Sequence, residues 1–160
     1  MSLIYLVGPR ACGKTTLGKA LSEVLDVPYC DTDHHLCERL GMDVATMVDR
    51  WGWEGFRSRE SESLRLASEE LAGRGVVATG GGALTFQRNV DAFKEGGVIV
   101  LLDTPLRVLQ LRLKNDRNRP LLQRPDRFRF IRELHQKRMP LYRRAADVAV
   151  SYTHLRAHET

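Results

Sequence analysis

A chain of 160 residues with 42% apolar and 28% charged side chains has the size and balance of one soluble globular domain, which excludes disordered and fibrous classes. Three cysteines (Cys12, Cys30, Cys37) build no disulfide framework and match no zinc spacing, and no apolar run approaches the ~20 residues of a membrane helix, so a reduced, cytoplasmic setting is expected. The net charge of +5 is concentrated in residues 107–144, where thirteen arginines and lysines face three acids among few aromatics, so small anionic ligands are expected in preference to nucleic acid.

In chain order, residues 3–7 (LIYLV) read as a buried strand closed by Gly8. Leu17, Ala20, Leu21, Val24 and Leu25 recur at helical spacing, so a helix runs on from Lys14. Residues 28–30 predict a short second strand ending at Asp31-Thr-Asp33. Helices are predicted over about 34–40, 44–50 and 54–72, the last stopped by Gly73 and Gly75. A third strand at 76–79 leads into Gly80-Gly81-Gly82, and a helix near 86–94 precedes a fourth strand at 98–102. Pro105 suits the first turn of a helix that ends near Lys114. Residues 115–127 are polar and Arg-rich with Pro120 and Pro125, the signature of a long mobile loop of functional kind. A helix over about 127–144 and a strand at 148–150 complete the alternation, which predicts a parallel sheet covered by helices on both faces. The final SYTHLRAHET (151–160) breaks the pattern where an α/β domain adds a closing helix. The domain is therefore placed at residues 1–150, and the last ten residues read as a foreign tail in place of the native end.

Four patches carry chemistry. Gly8-Pro-Arg-Ala-Cys-Gly13-Lys14-Thr15 fits G-x-x-x-x-G-K-[ST] between a buried strand and an amphipathic helix, the context a phosphate-binding loop needs. Successive N–H groups and the helix N-terminus would face phosphate, Lys14 the β/γ oxygens and the Thr15 hydroxyl Mg²⁺. Asp31 and Asp103, each ending a strand, are equal candidates for the second metal partner, although Asp103 could instead cap the next helix. Arg57 and Glu60 lie three apart on one helix face, so the acid can hold the guanidinium fork ready for a carboxylate. Gly80-Gly81-Gly82 lets a ligand approach bare backbone, and Arg119 stands in the long loop, where closure would bring it onto phosphate.

Taken together and in order, GPRACGKTT (8–16), Asp31-Thr-Asp33, GFRSRE (55–60), ATGGG (78–82), RPLL (119–122) and Arg138-Met-Pro-Leu-Tyr142 resemble the shikimate kinases, small members of the P-loop kinase group. The resemblance spans about residues 3–150. It implies a three-layer α/β fold with a five-stranded parallel sheet of order 2-3-1-4-5, substrate-binding helices at about 33–60 and a lid at about 114–126. It also implies transfer of the γ-phosphoryl of MgATP to the 3-hydroxyl of shikimate, on the route to chorismate and the aromatic amino acids. ATP would meet Gly8, Arg10, Ala11, Cys12, Gly13, Lys14, Thr15 and Thr16, with Arg112 stacking on adenine and Arg119 reaching the phosphates. Shikimate would meet Asp33, Arg57, Gly80, Gly81, Gly82 and Arg138. Thr15 and Asp31 would serve Mg²⁺, and Lys14, Asp33 and Arg119 the chemistry. The implied partners are shikimate and ATP, with no nucleic acid, no membrane and a monomeric chain. Where the family pattern has a last helix, this chain carries its odd tail. A gluconate kinase, a nucleoside monophosphate kinase and a non-catalytic nucleotide-binding module are the alternatives; the Arg57 and Arg138 pair favours an acid acceptor.

Overall fold

Five short strands form one parallel sheet, four of them runs rich in β-branched and aliphatic residues and the second the three residues Tyr-Cys-Asp: β1 Leu3–Val7, β2 Tyr29–Asp31, β3 Gly75–Ala78, β4 Gly97–Asp103 and β5 Val148–Ser151. The computed structural model describes residues 2–9, 12–114 and 126–151. The strand order is β2-β3-β1-β4-β5, as the resemblance implies, with Leu3 opposite Gly75 on one side and Gly97 on the other. From β1 the chain builds first towards β2 and β3 and then returns to add β4 and β5 on the far side. The carboxyl end of β1 is therefore a topological switch point, where open α/β sheets leave a crevice for ligands.

Alternation along the strands sends side chains to two separate cores. Leu3, Tyr5, Val7, Val77, Ile99 and Leu101 pack with Leu64, Phe93, Met139 and Tyr142. These partners come from α3 Val44–Glu70, α4 Gln87–Gly96 and α6 Arg127–Ala145. On the opposite face Leu6 and Val76 meet Leu21 and Leu25 of α1 Lys14–Leu25. There Leu102 meets Leu109 of α5 Leu106–Lys114 and Cys12. A satellite cluster of Leu36, Met47 and Phe56 joins α2 Thr32–Leu40 to α3 away from the sheet. No helix among the described residues is long and apolar enough to cross a membrane.

Three details differ from the pattern read in the sequence. The second helix starts at Thr32 and not near residue 34, because the Asp31 carboxylate accepts hydrogen bonds from the Asp33 and His34 N–H groups and starts it early. The helices expected at 44–50 and 54–72 follow one another directly across a kink at Gly52, whose φ of 72° and ψ of 175° interrupt the helical bonds. A 3₁₀ turn at Ala83–Thr85 follows the glycine run, anchored by Thr85 Oγ1 on the Gly82 carbonyl (2.6 Å) and Asn89 Nδ2 on the Ala83 carbonyl (2.8 Å). Arg10 and Ala11, the lid with Arg119 over residues 115–125, and the tail from residue 152 onward lie outside the described residues.

Candidate active site

The phosphate loop is shaped by its glycines. Gly8 has φ of 151°, and a β-carbon there would lie 2.8 Å from Cys12 Sγ and 3.0 Å from the Leu102 carbonyl, so the loop closes tightly on the end of β4. Gly13 turns the chain into α1 from a left-handed conformation (φ 99°) that β-carbons resist. Among the described residues no side chain caps this helix, and no acid stands in its first turn, so its leading N–H groups and the positive end of its dipole are left for a ligand. Lys14 Nζ arches back over the loop to the carbonyls of Gly8 (2.6 Å) and Pro9 (3.1 Å). Thr104 Oγ1 steadies the loop from β4 by a 3.5 Å bond to the Cys12 carbonyl. Thr15 and Thr16 are exposed on the first turn, and Arg112 on α5 is close enough for its charge to act on Cys12. Burial nonetheless dominates at that thiol and pushes its pKa up.

Of the two carboxylates read as metal candidates, Asp31 lies near Tyr29, whose pKa is raised by burial, with the nearby Thr15 hydroxyl opposing the rise and the Asp31 charge adding to it. Asp103 instead faces α6, where Arg143 lies 3.8 Å from its Oδ2 and His135 is nearby.

The second half of the site is built on the three glycines after β3, and each meets a different functional group. A β-carbon at Gly80 would lie 2.9 Å from Asp33 Oδ1 and 2.9 Å from Glu60 Oε2. At Gly82 it would fall on the Arg57 guanidinium itself. The Gly81 carbonyl accepts the hydroxyl proton of Tyr142. Arg57 Nη1 donates to both oxygens of Glu60, at 2.9 and 3.1 Å, with only 12% of the arginine and 2% of the glutamate side chain exposed. Burial pushes the Glu60 carboxyl above the usual range; Arg57 opposes this, and the neighbouring Asp33 charge reinforces it. Arg57 also stacks near Phe56 (5.0 Å) and Trp53 (5.6 Å). Half-buried Arg138 approaches the same wall from α6, its pKa lowered by burial and by the like charge of Arg57.

Asp33, Arg57, Arg138 and all three glycines thus meet at one wall, and Gly8, Cys12, Gly13, Lys14, Thr15 and Thr16 gather at the phosphate loop. Sequence reading passed over Tyr142, although it ends the quoted RMPLY segment four residues after Arg138. That helical spacing is the signal that could have found it. Thr104 and Trp53 left no comparable trace.

A phosphate cradle at the switch point of a 2-3-1-4-5 parallel sheet, with a polar acceptor wall beside it, is the layout of a small-molecule P-loop kinase. Known proteins narrow the class. The family described as "Shikimate kinase" matches residues 10–160. Shikimate kinase of Halorhodospira halophila is 42% identical over 98% of this chain and 87% of its own length, and shikimate kinase 2 of Escherichia fergusonii is 38% identical over 94% and 83%. Among solved structures, the Acinetobacter baumannii shikimate kinase in complex with shikimate superposes with a TM-score of 0.88 at 38% identity, covering 94% of this chain and 83% of that one. The Aquifex aeolicus shikimate kinase gives 0.80 at 34%, over 94% and 87%. The chain belongs to the shikimate kinase family. A gluconokinase of Sinorhizobium meliloti, at 20% identity and a TM-score of 0.51, shares the fold alone.

Proposed function

We propose that the protein transfers the γ-phosphoryl group of MgATP to the 3-hydroxyl of shikimate, giving shikimate 3-phosphate on the route to chorismate. The observation that carries this reading is the acceptor wall, where the Arg57 guanidinium lies against Gly82, Asp33 stands beside Gly80, and Arg138 is near enough for its charge and that of Arg57 to act on one another. A small ring bearing one carboxylate and several hydroxyls suits that arrangement: the arginines take the acid, the glycines admit the ring and Asp33 takes the hydroxyls. Membership of the shikimate kinase family and likeness to a shikimate-bound relative point the same way.

Phosphoryl transfer asks a protein mainly for alignment and charge stabilisation. Asp33 orients the attacking hydroxyl, and alignment is its larger contribution because an aspartate is a weak base. The α1 N–H groups and Lys14 hold the phosphate oxygens, Lys14 exchanging its bonds to Gly8 and Pro9 for bonds to phosphate. Arg112 flanks the base, and Arg119 meets the transferring phosphate as the lid arginine. The oxygens of Thr15 and Asp31, both beside Tyr29, are the hard donors Mg²⁺ prefers. When bound there, Mg²⁺ would neutralise phosphate charge; one Asp31 oxygen is already committed to the α2 cap, leaving the other for the ion.

The deciding experiment compares ATP turnover with shikimate, gluconate and AMP as acceptors. Shikimate-dependent ADP release is expected. Robust activity with gluconate alone would overturn the assignment, and ATP binding without turnover of any acceptor would favour a non-catalytic nucleotide-binding module.

A further inference from the structure

Asn89, in the first turn of α4, is only 4% exposed. An amide hidden from water costs stability unless its donor and acceptor ends are bonded, and leucine would fill a similar volume, so packing alone does not account for asparagine. The two ends of this amide point to different elements. The Ala83 carbonyl can only accept, so it faces the amide nitrogen, and Nδ2 donates to it at 2.8 Å. That leaves Oδ1 for the Ser61 hydroxyl, which donates to it at 2.9 Å. The Ser61 oxygen in turn accepts from Arg88 Nε at 3.1 Å, so the hydroxyl proton is directed at the amide.

Both partners adjoin the acid-binding end of the site. Ser61 directly follows Glu60 on α3, and Glu60 holds the Arg57 fork. Ala83 directly follows Gly82 and opens the 3₁₀ turn. Its N–H bonds the Gly80 carbonyl at 3.2 Å, so a shift of Ala83 is passed back to the glycine against which Asp33 and Glu60 lie. One amide therefore spans from the helix that carries Arg57 to the backbone that faces it. The slack between them is small, because the Arg57 guanidinium already fills the place of a β-carbon at Gly82. We infer that Asn89 is a positioning residue for the acid-binding end of the site: its amide fixes the spacing between the Arg57–Glu60 pair and the Gly80–Gly82 backbone, and so sets where the guanidinium meets the acceptor's carboxylate. The inference rests on the reading of shikimate as acceptor.

The test is Asn89→Leu in the full chain, assayed with shikimate and with the analogue whose carboxylate is a neutral carboxamide. Displacing a carboxylate grip without removing it should raise the shikimate KM roughly tenfold, keep kcat within about threefold and leave the ATP KM within about twofold. The preference for shikimate over the carboxamide should narrow by a similar factor. Ser61→Ala removes the α3 half of the bridge and keeps the bond to Ala83, so it should raise the shikimate KM about threefold. Ser61→Thr retains the hydroxyl and should restore the wild-type value. In the Asn89→Leu background the added Ser61→Ala should change KM less than about twofold, since both residues act through one bridge. An unchanged shikimate KM or preference, an equal rise in the ATP KM, or full additivity of the two substitutions would each overturn the inference. If Asn89→Leu fails to fold, the Ser61 pair decides: a wild-type KM in Ser61→Ala, or a Ser61→Thr protein no better than Ser61→Ala, overturns the inference too. Wild-type protein that turns over no shikimate would overturn the functional reading itself, whereas active wild type with unaltered variants overturns this inference alone.

Discussion

At the scale of single residues, the site depends on charges held almost out of water. Arg57 is fixed by Glu60, by the face of Phe56 and by the bare backbone at Gly82, so its side chain gives up little freedom on meeting an acid. Replacing it with alanine should weaken shikimate binding by about 2–4 kcal/mol and leave ATP binding intact, as separate titrations of the two ligands would show. Equal loss of both affinities would make Arg57 structural. Glu60→Ala should lower folding stability by about 3 kcal/mol, because it strands a nearly buried guanidinium, and urea unfolding would measure it. A loss below about 1 kcal/mol would mean that the aromatic neighbours suffice to hold Arg57. The ion pair was legible beforehand, because i,i+3 spacing on a helix is a local rule. That Glu60 and Asp33 both press on Gly80 was not, because they come from different helices and meet only through the fold.

At the scale of elements, strands and helices followed from hydrophobic period and from glycine and proline punctuation, and departures arose where one polar side chain or one glycine overrode the period. Asp31 starts α2 early, which no apolar pattern reveals, and Gly52 turns two expected helices into consecutive arms of one bent element. The Asp31 cap yields a separable prediction. Asp31→Ala should cost about 1 kcal/mol of stability through loss of the cap. Asp31→Asn keeps an oxygen for the cap and removes the charge, so it should retain thermal stability while raising the Mg²⁺ concentration needed for half-maximal turnover. Thermal melts and a Mg²⁺ titration on both variants would check this, and an unchanged Mg²⁺ requirement in both would confine Asp31 to capping.

At the scale of the whole molecule, order 2-3-1-4-5 sets the loop after β1 and the glycines after β3 side by side at the carboxyl ends of neighbouring strands. Composition and periodicity foretold a parallel sheet but not this order, because strand order is decided by crossovers between distant segments; only the resemblance supplied it. Tyr142 couples this architecture to pH. Burial pushes its phenol from 10.0 up to about 12, with Arg138 opposing the rise. Below pH 10 folded and unfolded chains both keep the proton and the full stability is present. Between pH 10 and 12 the unfolded chain ionises first, so stability falls as pH rises through that window. Urea unfolding at pH 9, 10.5 and 11.5 should show the wild type losing stability more steeply than Tyr142→Phe. Parallel curves would mean that Tyr142 contributes nothing to alkaline sensitivity.

The satellite cluster of Leu36, Met47 and Phe56 has a genetic consequence. Phe56 is rooted there while its neighbour Arg57 is anchored at the glycine wall, so one peptide bond joins the small cluster to the Arg57–Glu60 pair. Trimming any of those three apolar side chains would loosen the footing of Arg57 without touching a ligand atom. Partial-loss alleles mapped to positions 36 and 47 would therefore mimic substrate starvation, relieved by a greater supply of shikimate, and would not resemble simple failures to fold.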